Sequence, residues 1–419
     1  MPPDPMKKPE LLLPAGDPVG LRTAVHYGAD AVYLGGDAFS LRAAAGNFSC
    51  AQMDEGIRYA HANGCRVYVT ANIFAHDSDL AQAGPFFDTL SHLSPDAVLI
   101  SDPGMFRLSR RYCPDVPIHI STQANNVNSE TFLFWYDMGV RRLVCGRELS
   151  LSEIRTIRAN IPADMEIEAF VHGAMCISYS GRCLMSNYMA GRDANRGACT
   201  HPCRWEYTVM EEKRPGEYFP VSETEHGTFL FSSKDLCMIG HLPDLIEAGI
   251  DSFKIEGRMK SPLYTALMAR TYRLALDTCL EDPDAYAAQI PVYETQVRAC
   301  THRDYCTGFF YGTPDGSSLL YDRKAYEQSY VYLGVIDEIS SEGRIFLTQK
   351  NKFSVGEIIE IMRPDGADLA VRVSDLRDAQ GQLIESAPHP KMAVSFLPEP
   401  LDGTSGCAMS VGDVIRRKL

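Results

Sequence analysis

The chain has 419 residues, 45% of them hydrophobic, which is enough for a sizeable core and excludes a disordered protein. A formal net charge of −14 argues against a protein that binds nucleic acid indiscriminately. No apolar run approaches the roughly 20 residues that span a bilayer, and the opening MPPDPMKKPE lacks the apolar stretch of a signal peptide. We therefore expect a cytoplasmic protein without membrane contact.

Eight short apolar segments predict β-strands, with helix-period stretches such as Pro18–Tyr27, Met53–Asn63 and Ser150–Asn160 between them. In chain order the segments are Leu11–Leu13, Ala31–Leu34, Arg66–Thr70, Ala97–Ile100, Ile118–Ile120, Leu143–Cys145, Ile167–Val171 and Phe253–Ile255. Most are apolar on both faces, which is typical of a parallel sheet covered by helices. The pattern predicts an α/β fold with an eight-stranded parallel, TIM-like barrel, and an open doubly wound sheet is the alternative.

Residues 174–240 interrupt this alternation between the seventh and eighth strands, so the insertion should overhang the barrel mouth. Its second half carries two predicted strands, Tyr207–Met210 and Thr228–Phe231. After the eighth strand, Ser261-Pro262 predicts the start of a helix that reaches about Leu280, and a second helix is predicted from Pro283 to about Thr301.

The pattern changes again at Tyr330, where short segments separated by glycines predict a small β-barrel or sandwich. The predicted strands are Val331–Ile336, Arg344–Gln349, Glu357–Met362 and Leu369–Val373. We therefore predict two domains: residues 1–325 form the barrel with its cysteine-rich insertion and trailing helices, and residues 330–419 form the small C-terminal all-β domain.

Thirteen cysteines in a reducing compartment are interpreted as buried hydrophobes, metal ligands or nucleophiles rather than disulfides. The scattered ones are predicted to be buried; they are Cys50, Cys65, Cys113, Cys145, Cys279, Cys300, Cys306 and Cys407. The dense group is Cys176, Cys183, Cys199, Cys203 and Cys237. Its wide spacing favours a loop around an iron–sulfur cluster, with zinc and no metal as alternatives.

The stretch 174–205 is basic although the whole chain is acidic. It carries Arg182, Arg192, Arg196 and Arg204 against the single acid Asp193. The pattern indicates either a surface that faces a polyanion or a chance clustering of arginines.

Residues 168–186 match the signature of the collagenase-like peptidases, peptidase family U32. The match is carried by Glu168, Phe170, Gly173, Ala174, Cys176, Gly181, Cys183 and Ser186, and the similarity extends through LLLPAGDPVGLRTAVHYGADAVYLGG, SSKDLCMI and FKIEGRMKSPLY. The resemblance implies a barrel enzyme that holds a 4Fe-4S cluster. By motif matching its ligands are Cys176, Cys183, Cys199 and Cys237, with Cys203 as the alternative to one of them.

The chain most resembles the branch of this family that acts in tRNA hydroxylation, through GRDANRGAC and the compact β tail. The resemblance implies oxygen-independent hydroxylation of a tRNA wobble uridine. Prephenate is then an expected co-substrate, tRNA an expected partner, and a homologous partner subunit a further expectation because some members act in pairs.

Two other classes of function stay open. A collagenase-like protease is the first alternative, although no H-E-x-x-H or G-x-S-x-G motif is present. His172 with Cys176 is the best local pair for peptide hydrolysis, but a thiolate that holds a cluster cannot attack a peptide bond. The second alternative is a non-catalytic scaffold that presents RNA to a partner.

Candidate site residues follow from the strand ends. Arginine forks suit a dicarboxylate such as prephenate, so Arg42, Arg147 and Arg258 are the predicted anchors, with structural ion pairs as the alternative. His172, Glu256 and Arg258 are the predicted catalytic residues, with His172 and Glu256 as acid and base. Either of these two could instead be a core polar residue with satisfied hydrogen bonds.

Overall fold

A computed structural model describes residues 7–41, 47–176, 178–205, 208–210, 218–220, 233–312, 328–401 and 408–419. No helix in these ranges is both long and apolar enough to span a membrane.

Eight strands of the N-terminal part build a closed parallel barrel. They are β1 (Glu10–Pro14), β2 (Ala31–Gly35), β3 (Arg66–Ala71), β4 (Ala97–Ile100), β5 (Ile118–Ile120), β6 (Arg142–Val144), β7 (Glu166–Ala174) and β11 (Ser252–Ile255). The strands of this part that lie outside the barrel are β8 (Thr208–Met210), β9 (Tyr218–Pro220), β10 (Asp235–Cys237) and β12 (Tyr305–Cys306). Neighbours pair in chain order from β1 to β7, and β11 pairs with both β7 and β1. All eight predicted barrel strands are confirmed, and the open-sheet alternative is wrong because β11 closes the ring.

Helices cover the outside of this barrel, so its strands are buried on both faces. They are α1 (Pro18–His26), α2 (Cys50–Ala62), α3 (Asp77–Leu93), α4 (Pro103–Tyr112), α5 (Ser129–Asp137), α6 (Leu151–Asn160), α7 (Met185–Ala190), α8 (Leu242–Glu247), α9 (Pro262–Glu281) and α10 (Pro283–Val297). Local sequence sets their ends: Ser150 forms a capping box with Glu153 at the start of α6. Helix α10 ends four residues before the predicted Thr301.

The insertion between β7 and β11 starts directly after β7, where the sequence predicts it. The short pair β8–β9 is antiparallel, which confirms strand structure at 208–210, whereas the predicted Thr228–Phe231 strand lies outside the described residues. Strand β10 runs antiparallel to β7 and extends the sheet beyond the closed barrel, where β12 pairs with it.

The C-terminal part is a second, antiparallel barrel with its own hydrophobic core. The barrel strands are β13 (Tyr330–Ile339), β14 (Ile345–Thr348), β16 (Ile358–Met362), β17 (Leu369–Asp378), β19 (Ala393–Pro400) and β20 (Val414–Lys418), and β15 (Phe353–Ser354) pairs with β18 (Ser386–Ala387) in a separate two-stranded sheet. The all-β class is confirmed. The predicted boundary at residue 325 lies outside the described residues and stays a prediction.

The scattered cysteines behave mostly as buried hydrophobes. Cys65, Cys113, Cys145, Cys279 and Cys300 are buried. Cys50 is exposed at the first turn of α2, so the prediction for it is wrong, and Cys306 is only half-buried. Cys407 lies outside the described residues.

Candidate active site at the barrel mouth

A pocket opens at the carboxyl ends of the barrel strands, where TIM-like barrels place their catalytic residues. Seven of the eight strands contribute to its wall, either directly or through the residues that follow them. The lining residues are Tyr33, Leu41, Thr70, Asn72, Leu99, Ser121, Thr122, Gln123, Arg147, Phe170, Lys254, Glu256 and Arg258.

Three charged side chains at the end of β11 share one face and line this pocket. Lys254, Glu256 and Arg258 alternate along the chain, so their side chains point the same way. The Lys254 ammonium lies 2.6 Å from Oε1 of the buried Glu168, and Glu168 offsets its charge. Glu256 accepts a hydrogen bond of 3.1 Å from the Tyr33 hydroxyl, which holds the carboxylate at the mouth.

Arg258 is only 4% exposed, and hydrogen bonds fix its side chain in one orientation. Its Nη1 donates to the hydroxyls of Ser40 and Thr70 at 2.6 and 2.7 Å. Gly35 makes this approach feasible, because a Cβ there would stand 2.6 Å from the same Nη1. A fork held this firmly loses little side-chain entropy when it binds a ligand.

Arg147 approaches the pocket from β6. Its Nη1 donates to the carbonyl of Ala174 at 3.1 Å, and its guanidinium carbon lies 4.1 Å from the centre of the Phe170 ring. The buried Nε makes no hydrogen bond with the described part of the chain, and no acidic residue in those ranges forms an ion pair with it. Arg147 therefore keeps hydrogen-bonding capacity and positive charge for a ligand.

The balance of charge in the pocket favours an anion. Glu168 offsets the charge of Lys254, which leaves Arg147 and Arg258 against the single acid Glu256 among the described lining residues. The planar forks of the two arginines match carboxylates and phosphates with paired hydrogen bonds. The site thus suits a small ligand with one or more carboxylate groups.

His172 lies apart from this pocket. The register between β11 and β7 shifts after Lys254, and a bulge of this kind turns the following side chain to the opposite face. His172 therefore packs towards α9, with Nδ1 3.2 Å from the Tyr272 hydroxyl. Burial lowers the pKa of His172 to about 3, so the ring is neutral near neutral pH. Its predicted acid–base role stays a prediction that the geometry does not favour.

The cysteine segment, residues 175–205, lies across the barrel mouth. Arg196 binds Asp79 at the start of α3 with an N–O distance of 2.6 Å. Gly181 has a positive φ of 73° and sits so close to the loop after β5 that a Cβ would be 2.4 Å from the Gln123 carbonyl oxygen. Only glycine fits this contact without strain, which explains part of the signature around Cys183.

Within the segment, contacts between separate parts of the chain connect the regions that contain Cys183, Cys199 and Cys203. The backbone amide of Thr200 donates to the hydroxyl of Ser186 at 3.1 Å, which joins the part after Cys183 to the part after Cys199. Helix α7 also packs against the 3-10 turn Pro202–Arg204, which contains Cys203. All three cysteines are half-buried.

Cys176 and Cys237 are placed differently from these three. Cys176 is exposed just beyond the end of β7. Cys237 pairs with His172 in the sheet. His172 lies four residues before Cys176 in the chain, which is a separation of ~13 Å along a fully extended strand. Burial raises the pKa of the Cys237 thiol to about 12, and Tyr272 is its hydrogen-bond partner.

Two sequence predictions remain, the anchor Arg42 and the metal ligands. Arg42 lies outside the described residues. Across the described ranges, no group of three or more His, Cys, Asp or Glu side chains forms a site for a single metal ion. The ligand set implied by motif matching, Cys176, Cys183, Cys199 and Cys237, therefore stays a prediction.

Several pocket residues were not predicted from the sequence. Ser40 and Thr70 position Arg258, yet isolated hydroxyl residues carry no motif. Phe170 supports Arg147 and belongs to the family signature, but the signature does not reveal this role. Lys254 had a usable signal, because it alternates with Glu256 and Arg258.

Comparison with known proteins places the chain in a defined group. The model of peptidase family U32 matches residues 16–319, and the model of the family's C-terminal domain matches residues 328–416. A Bacillus subtilis protein named tRNA hydroxylation protein P1 is 38% identical over 93% of this chain and 92% of its own length. A Methanocaldococcus jannaschii protein named as an uncharacterized protease is 40% identical over 72% of this chain and 73% of its own length. An Escherichia coli protein named 23S rRNA 5-hydroxycytidine C2501 synthase is 39% identical over 65% of this chain and 40% of its own length.

Proposed function

The chain belongs to peptidase family U32, and from that premise we propose that it supports the hydroxylation of a tRNA wobble uridine. One observation carries the proposal: Arg147, Lys254 and Arg258 surround Glu256 in a pocket at the barrel mouth, beneath a basic segment. The names of two relatives support the reaction class, since one is a tRNA hydroxylation protein and another an rRNA hydroxycytidine synthase.

The anion pocket is the proposed site of the co-substrate. Replacing a C–H bond of a base by C–OH is a two-electron oxidation. It balances when water supplies the oxygen and the keto group of the co-substrate takes up two electrons and two protons to become an alcohol. We propose prephenate as the co-substrate, with its carboxylates held by the forks of Arg147 and Arg258. Glu256, oriented by the Tyr33 hydroxyl, is the proposed group that accepts or returns a proton there.

Motif matching implies Cys237 as the fourth ligand of an iron–sulfur cluster; we propose the alternative, Cys203, because Tyr272 is a hydrogen-bond partner of the Cys237 thiol. Cys183, Cys199 and Cys203 share one compact loop, and Cys176 lies at the start of the same segment. The His201 amide donates to the sulfur of Cys199 at 3.4 Å, a contact that tunes metal-bound thiolates. Such a cluster, when bound, supplies single-electron transfer.

The ligand assignment predicts a difference between two serine substitutions. Cys203→Ser should lower the iron content of anaerobically purified protein by at least half, because three thiolates hold a cluster poorly. Cys237→Ser should keep the wild-type iron content, because that thiol faces Tyr272. Iron and acid-labile sulfide assays with an absorption spectrum would measure both. The reverse result would restore Cys237 as the ligand.

The name of the Methanocaldococcus jannaschii relative favours the protease alternative, but the geometry does not support it. A cysteine nucleophile needs a histidine within hydrogen-bond reach, but His172 is buried against Tyr272 while Cys176 is exposed. A purely scaffolding role leaves the convergence of three cations in the barrel mouth without a purpose. A homologous partner subunit stays a prediction.

The proposal is tested by the modification itself. In a strain that lacks this gene, the hydroxylated wobble uridine should disappear from purified tRNA when nucleosides are measured by mass spectrometry, and a plasmid copy should restore it. Unchanged hydroxyuridine in an organism that normally makes it would contradict the proposal. Gelatin hydrolysis by the purified protein, as a parallel measurement, would instead support the protease.

A further inference from the structure

The outer surface of the cysteine segment exposes large aromatic side chains that its own fold does not use. Tyr188 is 84% exposed, Tyr179 is 59% exposed and Trp205 is 40% exposed. Exposed aromatic groups concentrated in one short stretch are a common mark of a binding surface. We call Tyr179, Tyr188 and Trp205, together with Arg182 and Arg192, the aromatic–basic face.

The face rests on an ordered support. Tyr188 projects from α7, which ends at Gly191 in the left-handed conformation and packs against the turn that precedes Trp205. The bond between Thr200 and Ser186 joins the two parts. A surface prepared in this way loses little entropy when it binds a partner.

The charge of the face narrows the choice of partner. Arg182 and Arg192 are exposed, and neither forms an ion pair with any residue in the described ranges. The nearby acid, Asp193, accepts a hydrogen bond from the Asn195 amide at 2.8 Å. Two exposed arginines on a chain with net charge −14 favour a polyanion as the partner.

The face also continues to the pocket. Tyr179 and Arg147 line one cavity beside Cys176, and Arg147 lines the mouth pocket as well. A nucleotide stacked on the outer surface therefore has a short route to the proposed reaction site.

We propose that the aromatic–basic face binds the unpaired loop of an RNA, with bases stacked on Tyr179, Tyr188 and Trp205 and phosphates held by Arg182 and Arg192. Sequence-tolerant stacking on aromatic rings combined with arginine contacts is how proteins hold single-stranded nucleic acid. The inference deepens the proposed function, on which the identity of the RNA rests, whereas the binding mode rests on the exposed side chains alone.

The test measures RNA binding directly with anaerobically purified full-length protein. The probes are an RNA stem–loop with an unpaired loop and a fully paired duplex of the same composition. Tyr188→Ala and Trp205→Ala should each weaken stem–loop binding by about tenfold and leave duplex binding nearly unchanged. Tyr188→Phe should bind like the wild type, because the ring is retained. Arg192→Glu should weaken both and reduce the slope of log affinity against log salt by about 1.

Matched controls lie away from the mouth. Phe134→Ala removes a ring that is 58% exposed on α5, and Arg111→Glu changes the same charge in the last turn of α4; both should bind like the wild type. Equal iron content and melting temperature show that the variants are folded.

The outcomes separate the two proposals. Wild-type protein that binds neither probe, or face variants that bind the stem–loop as tightly as the wild type, would overturn the RNA-binding face even if tRNA is still hydroxylated. Lost hydroxylation with unchanged RNA affinity would assign the face to a protein partner, also against the proposal. Stem–loop binding that depends on the face, in a protein without effect on hydroxyuridine, would uphold the face and remove the proposed function.

Discussion

Replacing Arg147 with alanine is expected to lower kcat/KM for the anionic co-substrate by about 10²- to 10³-fold, because a desolvated charge pair loses one partner. The guanidinium lies on the Phe170 ring with its Nε directed to no acceptor in the described chain. A ligand carboxylate would complete both the charge and the hydrogen bonding of this group. Most of the loss should appear in KM if the contact is equal in the ground and transition states.

The Arg147→Lys variant separates the effect of the positive charge from the effect of the planar guanidinium group. Arg147→Lys keeps the positive charge but loses the paired donors, so its activity should fall between that of wild type and alanine. Arg155→Ala is a suitable control, because Arg155 forms an exposed ion pair with Glu247 outside the pocket. Iron content should stay at the wild-type level in all three proteins. Full activity in Arg147→Ala would remove Arg147 from the site.

The barrel could be predicted from the sequence because its signals are local and repeated. Strands buried on both faces, such as Leu11–Leu13 and Ala97–Ile100, are continuous apolar runs, and each is followed by a helix pattern. Closure follows from the number of such units. The end of α10 was misplaced because the residues after Val297 still have helical composition, and tertiary contacts decide where such a helix stops.

The candidate site could be predicted only in part. Strand alternation placed Glu256 and Arg258 on one face, and both line the pocket. The same alternation would place His172 beside Phe170, but the bulge in β7 reverses it, and bulges leave no clear mark in a single sequence. Cys237 shows a related limit, because the spacing of cysteines does not reveal that β10 pairs Cys237 with His172.

The opposite end of the barrel holds a buried charge network that should dominate stability. Arg142 is 3% exposed, and its Nη1 lies 2.5 Å from Oε1 of Glu10 and 3.6 Å from Oε2 of Glu168. Ser252 donates to the same Glu10 carboxylate at 2.8 Å. The strand starts of β1, β6 and β11 are tied together here, so the network seals the base of the barrel.

Arg142→Ala is therefore expected to lower the free energy of unfolding by about 3–5 kcal/mol, because it removes the buried cation that contacts both Glu10 and Glu168 and leaves these carboxylates with one cation each, Arg66 and Lys254. The double variant Arg142→Met with Glu10→Gln should recover most of this loss, since neither substituted side chain carries a buried charge. Urea denaturation at neutral pH would measure all three proteins. A loss below about 1 kcal/mol in Arg142→Ala would show that water or a rearranged side chain compensates the charge.

The pH dependence of the stability of Arg142→Ala distinguishes a lost charge interaction from a simple packing defect. In the wild type, burial raises the pKa of Glu10, but Arg142 and Arg66 outweigh it and the net pKa is lowered. Its contribution to stability is then complete above the unfolded pKa and is lost as pH falls through the folded value. Without Arg142, Arg66 alone opposes burial, which is the largest influence on the Glu10 pKa, so the folded pKa should rise above the unfolded one and proton uptake then stabilises the fold. The deficit of Arg142→Ala relative to wild type should therefore shrink between pH 7 and about pH 5, whereas a cavity alone would leave the deficit constant.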